Sequence, residues 1–165
     1  MIDAMGSRRA DVLVRGRSIL AVAETIDVPR GARVLDAGGC VVAPGLVDLH
    51  VHLRQPGKEE AETVETGARA AALGGYTAVV AMPNTEPAID CASAVREVLE
   101  LGETSVCDVR VAGAITKGRR GVELAAMAEM AELGVRIFTD DGTGVQDDRL
   151  MRRAFEYAAG LDVTL

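Results

Sequence analysis

From Pro44 onward the chain alternates strand-like and helix-like segments at a regular spacing, and this repeat limits the possible folds more than any other feature. Residues 46–52 (Leu-Val-Asp-Leu-His-Val-His) read as a strand, 62–73 as a helix and 76–82 as the next strand. A second helix is expected over 93–101, a third strand over 106–113 and a third helix over 121–133. In that third helix Leu124, Met127, Met130 and Ala131 recur at helical spacing. A fourth strand over 135–139 and a fourth helix over 148–159 follow, and 161–165 read as the start of a fifth strand. Gly74-Gly75 and Gly134 stop the helices before them, glycine being the residue type that tolerates a left-handed cap. Strand starts recur about every 26 to 31 residues, one βα unit per repeat. Right-handed crossovers make such a sheet parallel, with helices outside. An open doubly wound sheet and part of a (β/α)8 barrel both satisfy this pattern, and a whole barrel needs ~250 residues. The chain has 165 residues and stops inside an apparent strand. The preferred expectation is therefore a truncated α/β barrel of four to five units.

Residues 1–43 follow a different grammar. Short β-leaning runs at 11–16, 18–23 and 32–36 are punctuated by Gly16, Pro29, Gly31, Gly38 and Gly39. They predict a small antiparallel β segment as a first domain, with 44–165 as the second.

Charge and composition narrow the function. With 18 Lys plus Arg against 25 Asp plus Glu, the net charge is −7, so no basic stripe is available to neutralise phosphates. Two tyrosines and two phenylalanines are too few to build base-stacking surfaces. No apolar run approaches the ~20 residues that cross a bilayer. The N-terminus has no apolar stretch after its charges, so no export signal is visible and a cytoplasmic protein is expected. Cys40, Cys91 and Cys107 are odd in number and form no Cys-x-x-Cys pair, which argues against disulfides or a thiolate zinc site.

Both histidines fall in Asp48-Leu-His50-Val-His52. In a strand, positions i, i+2 and i+4 share a face, so Asp48, His50 and His52 project together. Two imidazoles so placed suit one metal ion, and neutral imidazole binds zinc at ~2.0–2.1 Å. A nearby carboxylate such as Asp48 is a candidate to orient a ring through its second nitrogen. At the C-terminal end of a barrel strand, the pair would enter the mouth where such folds keep their active sites. Asp140 and Asp141 close the fourth strand; alternation sends them to opposite sides, so only one can face the histidines, and spacing alone leaves either open.

The run Pro44-Gly-Leu-Val-Asp-Leu-His-Val-His-Leu-Arg-Gln-Pro-Gly57 resembles the opening metal motif of the amidohydrolase superfamily and of its cyclic amidohydrolases. With Gly74-Gly-Tyr-Thr-Ala-Val-Val-Ala-Met-Pro-Asn-Thr85 and Phe138-Thr-Asp-Asp-Gly142, the resemblance narrows to the long, bacterial dihydroorotase family. It implies a distorted (β/α)8 barrel flanked by a small β-sandwich. It also implies one or two zinc ions and interconversion of L-dihydroorotate and N-carbamoyl-L-aspartate in pyrimidine biosynthesis. Carried over to this chain, it makes His50 and His52 zinc ligands and favours Asp141 as the bridging carboxylate. Many relatives place a carboxylated lysine there instead. It makes Arg54, Asn84 and His52 the substrate-facing residues. A guanidinium fork suits a carboxylate, whereas Pro-Asn alone is ordinary turn chemistry.

The resemblance further implies histidines from the fifth and sixth strands and a proton-shuttling aspartate from the eighth. No third histidine occurs up to Leu165, so no catalytic acid or base is assigned within the chain, and little turnover is expected of these residues alone. The implied partners are the small-molecule substrate, aspartate transcarbamoylase or a second copy of the chain. The alternatives are allantoinase or another cyclic amidohydrolase, and a non-catalytic scaffold for the transcarbamoylase. Intact His50 and His52 weigh against the scaffold. A nucleotide-binding sheet is disfavoured because no glycine-rich phosphate loop follows a strand.

Overall fold

The computed structural model describes residues 1–165, which separate into two compact units, Met1–Pro44 and Gly45–Leu165. No helix is long and apolar enough to cross a membrane.

The first unit is built from two antiparallel ribbons. Strands β1 (Ile2–Asp3) and β2 (Gly6–Ser7) form one, and β3 (Asp11–Arg15) and β4 (Ser18–Ala23) the other, with a register shift between Leu13 and Val14. Asp3 ties the first ribbon by taking two 2.8 Å hydrogen bonds from the Arg8 guanidinium, a bidentate fork. This contact holds the Asp3 carboxyl below its ordinary range and raises Arg8. The expected third strand at 32–36 does not form: that stretch has no ladder partner and is exposed throughout. No residue of this unit is buried, because two-stranded ribbons have no second layer to close over their apolar side chains.

The second unit carries the α/β alternation. Strand β5 (Leu46–Val51) leads to helix α1 (Val64–Leu73), then β6 (Tyr76–Ala81), α2 (Ala92–Gly102) and β7 (Asp108–Val111). The three strands pair in parallel in the order β5-β6-β7. Helix α1 begins at a reciprocal capping box between Thr63 and Thr66, and its chain reverses through Gly75 at φ +87°, where a side chain would be strained. Beyond β7 the chain adds a 3₁₀ turn at Lys117–Arg119, helix α3 (Met127–Glu132) and helix α4 (Asp148–Ala158). The Asp147 side chain caps α4 by accepting from the Arg149 and Leu150 N–H groups, a contact of about 1 kcal/mol.

Three further elements differ from expectation. The third helix covers only its second half, because residues 121–126 turn back and pair with 115–117. The Lys117 N–H donates to Glu123 O and the Ala125 N–H to Ile115 O, which takes those groups away from a helix. The fourth and fifth strands are reduced to single parallel bridges, Gly113 to Phe138 and Ile137 to Thr164. Even so, these bridges continue the parallel order beyond β7.

The core lies between this sheet and the helices. Phe138, Val79, Val95, Val98, Met127 and Met130 are fully buried in it, and each large apolar side chain stabilises by roughly 1.5–3 kcal/mol. Phe138 fills the space beside Gly113, where a Cβ would stand 2.6 Å from the Phe138 ring. That close approach lets the fourth segment dock against the end of the third.

Candidate metal centre

The sheet register sets the site. Val51 of β5 pairs with Ala81 of β6, and the Met82 N–H donates to Val51 O at 2.9 Å, so the segments after both strands emerge side by side. His50 lies near the end of β5 and His52 just past it, with ring centroids 5.3 Å apart and planes at 79°. Asn84 follows β6 and its Oδ1 lies 3.0 Å from His52 Nδ1. With an amide oxygen as partner, Nδ1 carries the proton and Nε2 keeps its lone pair.

Asp141 reaches the same place from the segment after Phe138. Its Oδ1 stands 3.1 Å from His50 Nε2. Segments three places apart in a flat sheet would be ~14 Å apart, and side chains stand perpendicular to a sheet. The contact therefore depends on the loop after Phe138 as well as on the course of the sheet. One ligand atom each from His50, His52 and Asp141 lies within 4.8 Å of the others. Separations of that order suit donors that sit ~2.0–2.2 Å from one ion, and two imidazoles with a carboxylate match the preferences of zinc. The donor set fits a bound metal.

The remaining candidates are placed differently. Asp48 does not orient a ring: its Oδ1 accepts the backbone N–H of His50 at 3.0 Å, a local i to i+2 contact. Asp140, which spacing left open, points away from the histidines and is buried at 2% exposure among donors from residues 115 and 116. Arg54 is half-buried at φ +61° and forms no salt bridge within the chain. Arg119 was not singled out in the sequence, yet its guanidinium donates to the backbone carbonyls of Asp140, at 3.0 Å, and Asp141. Its neighbour Gly118, at φ +57°, was the available signal of a special turn.

Comparison with known proteins identifies the family. The dihydro-orotase-like family matches residues 39–165, most of the chain. The chain belongs to the dihydro-orotase-like family. It is 51% identical over 160 residues to a dihydroorotase of Mycobacterium leprae, covering 95% of this chain and 37% of that protein. Against a dihydroorotase of Streptomyces coelicolor the identity is 50% over 156 residues, with 93% and 36% covered. A dihydroorotase of Clostridium acetobutylicum is 40% identical over 167 residues, covering the whole chain and 39% of the relative. The chain thus spans well under half the length of these relatives. Among solved structures, an L-hydantoinase (dihydropyrimidinase) from Arthrobacter aurescens superposes with a TM-score of 0.82 over 98% of this chain and 37% of that one. At 24% identity that likeness concerns the fold of a dihydro-orotase-like chain and nothing finer.

Proposed function

We propose that this chain supplies one wall of a zinc-dependent dihydroorotase active site, which interconverts L-dihydroorotate and N-carbamoyl-L-aspartate in pyrimidine biosynthesis. The observation that carries the reading is the convergence of His50, His52 and Asp141 from the first and fourth strand-like segments of a parallel sheet. Family membership supports it. In this reading the sheet is the opening part of a (β/α)8 barrel, and the ribbons of Met1–Pro44 belong to a small flanking β-sandwich. The expected setting is the cytoplasm, with aspartate transcarbamoylase or a second copy as partner.

His50, His52 and Asp141 would hold the zinc. When bound, the metal lowers the pKa of a coordinated water and polarises the ring amide carbonyl. The chain's own residues supply recognition. Arg54 offers a planar fork for the substrate carboxylate and has no competing carboxylate within the chain. Asn84 engages His52 through Oδ1, which leaves its amide N–H₂ to donate to the same carboxylate. Two fixed contacts on one end of the ring set its orientation, and orientation lowers the entropic part of the barrier.

The test is a substrate panel on the zinc-loaded full-length protein. Ring opening of dihydroorotate, lost in His50→Ala and slowed through KM in Arg54→Met, is the expected result. Turnover of allantoin or hydantoin with none of dihydroorotate would overturn the substrate assignment.

A further inference from the structure

We propose that Asp140 is a positioning residue that holds its neighbour Asp141 against the histidines, with Thr116 and Arg119 as the other parts of one clamp. The inference rests on the metal reading above and adds a group that does not touch the metal. The two aspartates are adjacent but have opposite surroundings. The Asp141 side chain faces His50, while Asp140 is buried and its carboxylate accepts three hydrogen bonds. Asp140 Oδ1 accepts the N–H groups of Ile115, at 2.9 Å, and Thr116, at 3.0 Å, and Oδ2 accepts the Thr116 hydroxyl. Thr116 Oγ1 in turn accepts the Gly121 N–H at 2.9 Å, so the carboxylate organises the whole turn that carries Arg119.

Arg119 closes the loop from the other side. Its Nε donates to Asp140 O at 3.0 Å and its Nη2 to Asp141 O. Thr143 adds its hydroxyl to Asp140 O at 2.7 Å and its N–H to Asp141 O at 2.7 Å, and Thr139 Oγ1 accepts the Asp141 N–H at 3.0 Å. Asp141 sits at φ +30°, a conformation that side-chain-bearing residues rarely adopt and that persists only where the surroundings over-determine it. Both carbonyls and the Asp141 amide are held, and holding them fixes where the Asp141 carboxylate points. A metal ligand kept in a strained backbone by such partners should lose affinity when the partners go, as ligands do when their supporting hydrogen bonds are removed.

The experiment measures zinc affinity of the full-length protein by chelator competition, beside the melting temperature of the metal-free form. Asp140→Ala is expected to weaken zinc binding by ~10–100-fold. Asp140→Asn should lose clearly less affinity than Asp140→Ala, because its Oδ1 still accepts both N–H groups and only the Thr116 hydroxyl loses its acceptor. Arg119→Met removes both carbonyl contacts from a half-exposed position, so it reads the clamp even where Asp140→Ala fails to fold, and it should also weaken binding. Wild-type affinity in Arg119→Met or in folded Asp140→Ala would overturn the proposal, as would equal losses in the alanine and asparagine variants. Asp141→Asn is the control: if it leaves zinc affinity unchanged, the metal reading itself fails. If it weakens binding while Asp140→Ala and Arg119→Met do not, only the clamp fails.

Discussion

His50 Nε2 and Asp141 Oδ1 lie 3.1 Å apart, although one leaves the first strand-like segment of the sheet and the other the fourth. A contact across three inter-strand spacings cannot arise from local sequence. It depends on the course of the sheet and on the loop that delivers the carboxylate.

Zinc should stabilise this arrangement by mass action. At zinc 100-fold above its dissociation constant, about 2.7 kcal/mol is expected, read as a higher melting temperature in calorimetry with zinc than with chelator. His50→Ala and Asp141→Ala should each shrink that zinc-dependent difference to near zero. An undiminished difference in both variants would mean that the ion binds elsewhere.

Asn84 offers a sharper distinction. Its Oδ1 meets His52 Nδ1 at 3.0 Å, so Asn84→Asp keeps an acceptor for the ring while placing a negative charge before the substrate carboxylate. Zinc affinity should hold in Asn84→Asp and KM should rise. Asn84→Ala should lower zinc affinity as well as raise KM. If Asn84→Ala changes KM alone, the contact to His52 has no part in metal binding.

Packing at Gly113 should tolerate no side chain. A methyl group there would stand 2.6 Å from Cε1 and 2.8 Å from Cδ1 of Phe138, which is itself fully buried. Gly113→Ala is expected to destabilise by roughly 1–3 kcal/mol, the range for an overpacked core. Urea unfolding is the measurement, and an unchanged midpoint would show that the fourth segment is more loosely docked than its contacts indicate.

The thiols should separate by reactivity. Cys40 is exposed, whereas Cys107 is buried, lies 3.6 Å from Ala68 O as a donor, and has its pKa raised chiefly by burial, with Asp108 adding to the effect. A thiol whose folded pKa exceeds its unfolded value contributes stability that is fully present below the unfolded value and is lost as pH rises from there through the folded value. Here the neutral thiol is what the core holds, so that core is undisturbed below the unfolded value and becomes harder to keep as pH climbs through the folded one. Alkylation followed by mass spectrometry at pH 8 should label Cys40 quickly and Cys107 only on addition of denaturant. Equal rates for the two would contradict the burial.

The helices show what a chain of this kind reveals locally. Residues 62–73, 93–101 and 148–159 read as helices, and the observed elements Val64–Leu73, Ala92–Gly102 and Asp148–Ala158 differ from them by a residue or two at the ends. Their periodicity and caps are properties of neighbouring residues. The helix expected over 121–133 kept only Met127–Glu132, because Gly121 at φ +68° starts a turn and the Ile115–Lys117 backbone competes for the hydrogen bonds of 123–125. Leu124 fits the helical spacing and still lies in an extended pair with Thr116. Periodicity reports which side chains are apolar, and it is blind to a distant partner for the backbone.

The amino-acid order alone determined the βα alternation, the shared side of His50 and His52 on one extended segment, and the presence of two adjacent aspartates after the fourth. Tertiary structure decided which aspartate turns toward the imidazoles and which is buried, and it gave His52 its partner in Asn84. Alternation along a strand is set by bonded geometry and needs no neighbours. The choice between Asp140 and Asp141 depends on donors brought in by Ile115, Thr116 and Arg119, residues far enough along the chain that only folding places them there.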